Sequence, residues 1–120
     1  RPGRTSLERV ADALRAILAV FHQDRRALLV LVEHSLRIMR ENPAAAGTLR
    51  DQMRGLRDLL AGLLEEGIRA GEVRPVEPRG MARILAMLVQ AAILHFSMNP
   101  DASLEEVTQG IEQLVRGLKA

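Results

Sequence analysis

The side chains with most chemistry to offer are three histidines, four serines and a few polar residues set in apolar stretches. A di-metal site in a helical bundle needs Glu-x-x-His pairs, so that two ligands point inward one turn apart. The residues three before His22, His34 and His95 are Ala19, Leu31 and Ala92, and no other ligand-spaced partner accompanies the histidines. No metal ligand is assigned on that pattern. Cysteine is absent, which removes thiolate catalysis, disulfides and cysteine zinc sites. No glycine-rich phosphate loop follows a strand-like run and no serine sits in a nucleophile elbow, so neither an enzyme nor a bound cofactor is expected. What remains is Ser35 among Leu28, Val32 and Met39, Gln52 among Leu56, Leu59 and Leu63, and His95 among Met81, Ile84, Leu88 and Ala92. A buried polar group must find a partner. Each of the three is therefore either a satisfied core group or one of several polar anchors converging on a ligand pocket.

The elements that position these residues follow from length and composition. A chain of 120 residues, 48% apolar and 27% charged, is one globular domain. With two phenylalanines and no Trp or Tyr, it offers no stacking platform for bases. The pI of about 10.3 reflects arginine rather than a basic face, because the net charge is only +2. Acids are interleaved with bases throughout, so no phosphate-tracking stripe for nucleic acid is present. Absence of cysteine fits a reducing, cytoplasmic setting. The chain opens on Arg1-Pro2-Gly3-Arg4 with no apolar run behind it, so no signal peptide is expected and the chain reads as a piece of a longer protein.

Five amphipathic segments at helical period succeed one another, and nowhere does a period of two persist. The fold class is all-α. Thr5-Ser6-Leu7-Glu8 is a capping box that opens a first helix, with Leu7, Val10, Leu14, Ile17 and Phe21 on one stripe to about Gln23. Asp24 caps a second helix that stops at Asn42-Pro43. A third runs from about Thr48 to Ala70, with Leu49, Met53, Leu56, Leu60 and Leu63 inward and Gly71 as its left-handed terminus. The fourth begins at Pro78 and ends near Met98 before Asn99-Pro100. Ser103-Leu104-Glu105-Glu106 opens the fifth, which runs to about Leu118 with Leu104, Val107, Ile111, Leu114 and Leu118 inward.

The fourth segment is unusual, since fourteen of the eighteen residues from Met81 to Met98 are apolar and only Arg83, Gln90 and Ser97 form a polar stripe. Its length suits a bilayer, but Arg83, Gln90 and His95 would lie in hydrocarbon and no aromatic belt flanks it, so no membrane is expected. A helix apolar around most of its circumference is instead buried on two sides, against its own core and against another chain. Gly110 and Gly117 share one flank of the fifth helix and imply close approach of another backbone there; Gly55 and Gly62 repeat the pattern on the third, whose flank is either a close contact or a pocket wall.

The run Leu63-Leu64-Glu65-Glu66-Gly67-Ile68-Arg69-Ala70-Gly71-Glu72-Val73-Arg74-Pro75, then Val76-Glu77-Pro78 and the apolar helix from Met81-Ala82, resembles the C-terminal half of the TetR (tetracycline repressor) family of transcription regulators. Leu104 to Val107 and Leu114 to Leu118 resemble the last dimerisation helix of that family. The resemblance implies a bacterial, cytoplasmic homodimer whose last two helices form an intersubunit four-helix bundle. It further implies that the five helices sense an effector for a DNA-binding helix-turn-helix domain that would precede Arg1 and is not in this chain.

The sequence thus predicts a single helical domain over 1–120 that binds a small apolar effector, homodimerises, and reaches DNA only through the missing N-terminal domain. Expected ligand walls are Val32, Met53, Leu56, Leu60, Met87, Ala91 and Leu94, with Ser35, Gln52 and His95 as polar anchors. Expected dimer contacts are Ile84, Leu88, Val107, Gly110, Leu114 and Gly117. The rival reading is a scaffolding domain with no pocket, whose fourth helix docks on a different protein.

Overall fold

The computed structural model describes residues 4–23 and 25–120; within them, the side chains of Phe21, Val32, Gln52 and several others on the second and third helices lie outside the described set. Five helices follow in chain order: α1 (Ser6–Gln23), α2 (Arg25–Glu41), α3 (Pro43–Arg69), α4 (Pro78–Met98) and α5 (Leu104–Arg116). The all-α expectation holds. Among the described residues the one extended pairing is an isolated antiparallel bridge between Val73 and Lys119.

Helix ends sit where capping chemistry puts them. The Glu8 amide donates to Thr5 Oγ1 at 3.1 Å and the Thr5 amide donates back to Glu8 Oε1 at 3.4 Å, the reciprocal pair of a capping box. At the end of α3, Gly71 has φ 75°, its amide donates to the Ile68 carbonyl at 3.1 Å, and the Glu72 amide donates to the Gly67 carbonyl at 2.8 Å. These two bonds are the Schellman pattern that satisfies the last carbonyls of a helix. Glu77 caps α4 by accepting from the Gly80 amide, and Ser103 caps α5 by accepting from the Glu106 amide at 3.2 Å. The Asp24 cap falls outside the described residues.

One boundary differs from expectation. α3 starts at Pro43 rather than near Thr48. Proline in the first turn gives up an amide that has no helical partner anyway, and Ala44, Ala45 and Ala46 are strong helix formers. Asn42-Pro43 therefore ends one helix and begins the next with almost no loop.

The core is where α1, α3, α4 and α5 meet. Val10, Leu14 and Leu18 of α1, Leu60 and Leu64 of α3, Val89 and Phe96 of α4 and Val115 of α5 are essentially inaccessible. Leu18 takes an inward place not expected for it, while Ile17 is only half-buried. α4 packs on α1, α2 and α3, and α5 lies along α1. Gly67 permits the closest approach: a Cβ there would stand 2.3 Å from Val73 Cγ2 and 3.0 Å from Ser6 Cβ. The chain end closes back on the α3–α4 connection, with the Arg74 amide donating to the Leu118 carbonyl at 2.8 Å and the Ala120 amide to the Glu72 carbonyl at 3.0 Å.

The molecule measures 45 × 34 × 22 Å with a radius of gyration of 15.4 Å, above the roughly 13–14 Å of a compact chain this long. Its thinnest dimension is about two helix diameters of ~10–12 Å each. Two helix layers leave outer faces uncovered.

Candidate functional site: the outer face of α4 and two charged clefts

α4 carries two apolar faces on opposite sides. Ala82, Leu85, Val89, Ala92 and Phe96 recur at steps of three and four and are buried in the core. Ile84, Met87, Ala91, Leu94 and Met98 also recur at steps of three and four, on the opposite side, and all are exposed: Ile84 and Met87 at 52%, Leu94 at 45% and Met98 at 69%. Arg83, Gln90 and Ser97 separate the two stripes along one edge. At mean hydropathy 1.6 the helix is long and apolar enough to cross a membrane by length and composition, but its inner face is packed against three neighbouring helices.

α5 continues the pattern. Ile111 and Val115 face the core and Leu118 just beyond it joins them, whereas Leu114 is 60% exposed and Gly110 and Gly117 are open. Leu114 was expected inward; within one chain it points outward. A Cβ at Gly110, Gly55 or Gly62 would meet nothing within 4 Å among the described residues, which leaves these glycines open within the chain. At Gly117 the nearest atom is the Leu114 carbonyl at 3.2 Å, a contact within the helix end itself.

Of the expected dimer contacts, Ile84, Gly110, Leu114 and Gly117 are exposed and Leu88 and Val107 are half-buried. The expected ligand residues differ in burial. Leu60 is wholly buried in the core, Ser35, Met53 and Leu56 are half-buried, and His95 is exposed. Met87, Ala91 and Leu94 stand on the open side of α4 with Ile84, because a helix that is apolar all round does not announce which stripe faces inward. The side chains of Val32 and Gln52 lie outside the described set. The His95 ring lies 6.2 Å from that of Phe96, and its Nδ1 is 3.3 Å from Asn99 Nδ2. The His22 ring meets the edge of Phe96 at 5.1 Å. Among the described residues no cluster of metal-ligating side chains forms.

Two clefts among the described residues have linings that include none of the ten expected ligand residues. The larger, about 570 Å³, is an open cleft between the start of α1, the α3–α4 connection and the end of α5. Its charges are extensively paired: Arg4 with Asp12 at 2.5 Å and with Glu8 at 3.7 Å, and Arg15 with Glu112 and with Asp12 at 3.4 Å. The Arg15–Glu112 pair ties α1 to α5, as Arg9–Glu66 at 3.4 Å ties α1 to α3. The smaller, about 250 Å³, lies between α3 and α4 and is lined by Arg54, Arg57, Asp58, Ala61, Arg79, Gly80 and Arg83. No helical period foretells that groove, since it needs α3 and α4 side by side.

No curated protein and no solved structure shows a significant match to the chain. The model of the family described as "Tetracyclin repressor-like, C-terminal domain" matches residues 3–118. Domains of this family typically bind ligands and dimerise in transcription regulators, which are not enzymes and which contact DNA through an N-terminal domain. With five helices in an all-α arrangement and a family match over nearly its whole length, the chain belongs to the tetracyclin repressor-like C-terminal domain family.

Proposed function

We propose that this chain is the effector-sensing and dimerisation domain of a bacterial, cytoplasmic transcription regulator, and that a helix-turn-helix domain outside it binds the operator. The observation that carries the reading is the second apolar face of α4, Ile84, Met87, Ala91, Leu94 and Met98, matched by Leu114 and Gly110 on α5. A soluble monomer has no use for a continuous apolar stripe of this length, while a two-fold dimer buries it against its own copy. In that arrangement the last two helices of each subunit form a four-helix bundle, and the open flank at Gly110 and Gly117 admits the partner's backbone.

The effector site is proposed to lie where α2 meets α3 and α4. Ser35, Met53 and Leu56 are its proposed lining, Val32 and Gln52 stay as expectations from the sequence, and Met87, Ala91 and Leu94 are reassigned to the dimer face. Support comes from α2, which packs on both α3 and α4 and whose Ser35 and Ile38 are half-buried, as is Leu56 on α3. The half-buried Met53 supplies an adaptable wall. A ligand seated there would change how α2 and α3 pack and so the spacing of two DNA-reading heads, which is coupling between distinct sites. Sedimentation velocity and thermal melting against a panel of neutral aliphatic compounds test the reading. The expected result is a dimer whose melting temperature rises saturably with one or more ligands. A monomer at tens of micromolar, roughly where weak interfaces fail, would overturn the dimer. A dimer unmoved by every compound would favour a scaffolding role.

A further inference from the structure

We propose that the groove between α3 and α4 is a binding site for a small multivalent oxyanion, of the phosphate or carboxylate class, separate from any apolar effector site. Four arginines line it: Arg54 and Arg57 from one face of α3, and Arg79 and Arg83 one turn apart on α4. One carboxylate, Asp58, stands among them. Arg54 pairs weakly with Asp51 at 3.6 Å, and among the described residues Arg57, Arg79 and Arg83 have no ion pair and Asp58 reaches no cation within bonding distance. The Glu77 carboxylate at the start of α4 is committed to the Gly80 amide.

What singles the groove out is the number of arginines that share one lining: four against one carboxylate, three of them without an ion pair among the described residues, whereas Arg4, Arg9 and Arg15 around the larger cleft and its flank each meet a carboxylate. Placing arginines three and four residues apart on adjoining helices works against both helices unless an anion sits between them. The guanidinium fork matches an oxyanion in bidentate geometry, which a lone ammonium does not. The buried Ala61 and the side-chain-free Gly80 keep the space clear. At about 250 Å³ the groove is below the ~300–1,000 Å³ of a drug-sized pocket, a size for a compact anion rather than an extended molecule. Four arginines against the single carboxylate of Asp58 leave the lining net positive, and attraction to it grows with the charge of the anion.

The test is isothermal titration and thermal melting of the whole chain at low ionic strength. Inorganic pyrophosphate represents the phosphate class, citrate the carboxylate class, and sodium chloride at matched ionic strength is the control. The expected result is saturable binding of at least one of the two anions at one site per chain, with chloride inert. Arg57→Gln and Arg83→Gln should each weaken it at least about tenfold, the loss of one charge-assisted pair. Asp58→Asn should tighten it, and Arg116→Gln, on α5 and outside the groove, should leave it unchanged. Binding of pyrophosphate alone or of citrate alone assigns the class. No saturable binding of either, binding untouched by both groove variants, or equal loss in Arg116→Gln would overturn the proposal. Far-UV circular dichroism confirms that each variant is folded, and the oligomeric state and the response to apolar compounds are independent of every one of these outcomes.

Discussion

Replacing Leu114 separates folding from association, because the side chain that one chain leaves outside is the one a dimer would cover. Leu114 is 60% exposed, so dimer formation gains about three fifths of the ~1.5–3 kcal/mol that full leucine burial provides, roughly 1–2 kcal/mol per subunit. Two-fold symmetry counts the residue twice, giving about 2–4 kcal/mol per dimer, or a dissociation constant weaker by roughly 30- to 800-fold in Leu114→Ala. The Cβ that alanine retains places the outcome in the lower part of that range. Leu114→Asp adds the cost of burying a charge and should leave monomer throughout the micromolar range. Gly110→Leu should act in the same direction by steric means, since a Cβ there has open space within 4 Å and the side chain would project from the face. Sedimentation velocity over a dilution series reads the dissociation constant, and circular dichroism under dilute conditions checks that the monomer keeps its helices. A dissociation constant within about threefold of the parent in Leu114→Ala, a difference of about 0.7 kcal/mol against the roughly 2–4 kcal/mol at stake per dimer, would refute the assignment of this face.

Other consequences follow from single positions. Gly67→Ala should destabilise the fold by about 1–3 kcal/mol through overpacking, because its Cβ would collide with Val73. Gly62→Ala, in open space on the same helix, should instead stabilise by roughly 0.5–1 kcal/mol, and urea denaturation distinguishes the two signs. Leu56→Trp should abolish any ligand-induced rise in melting temperature while leaving the dimer intact; a persisting rise would move the ligand site elsewhere. The chain by itself should not bind duplex DNA at physiological salt, and fluorescence anisotropy showing submicromolar affinity, tighter than the ~10⁻⁴–10⁻⁶ M of nonspecific binding, would show that its arginines track phosphates after all.

Local chemistry was legible in the residues themselves. Thr5 with Glu8, Ser103 and Gly71 set helix ends through bonds that reach only three or four residues, and Pro78 does so through its fixed backbone angle, so five helices and most of their limits could be read without a fold. The same holds for the family resemblance, whose Gly67 and Gly71 serve the end of α3: one accommodates Val73 and the other takes the left-handed turn. Pro43 misled because the same proline chemistry that stops a helix also starts one.

Tertiary packing alone decided what each apolar stripe faces. Periodicity reports how much of a helix is apolar but not which neighbour covers it, so α4 could be recognised as two-faced while its inner stripe, Leu85, Val89 and Phe96, and its outer stripe, Ile84, Met87 and Leu94, stayed undistinguished. Leu114 turned outward for the same reason: α5 settles on α1 through Ile111, Val115 and Leu118, and the remaining flank is left to solvent or to a partner. The arginine groove lies furthest from sequence reading. Arg54 and Arg83 are remote in the chain and unremarkable on their own helices, and only the packing of α3 against α4 makes them neighbours.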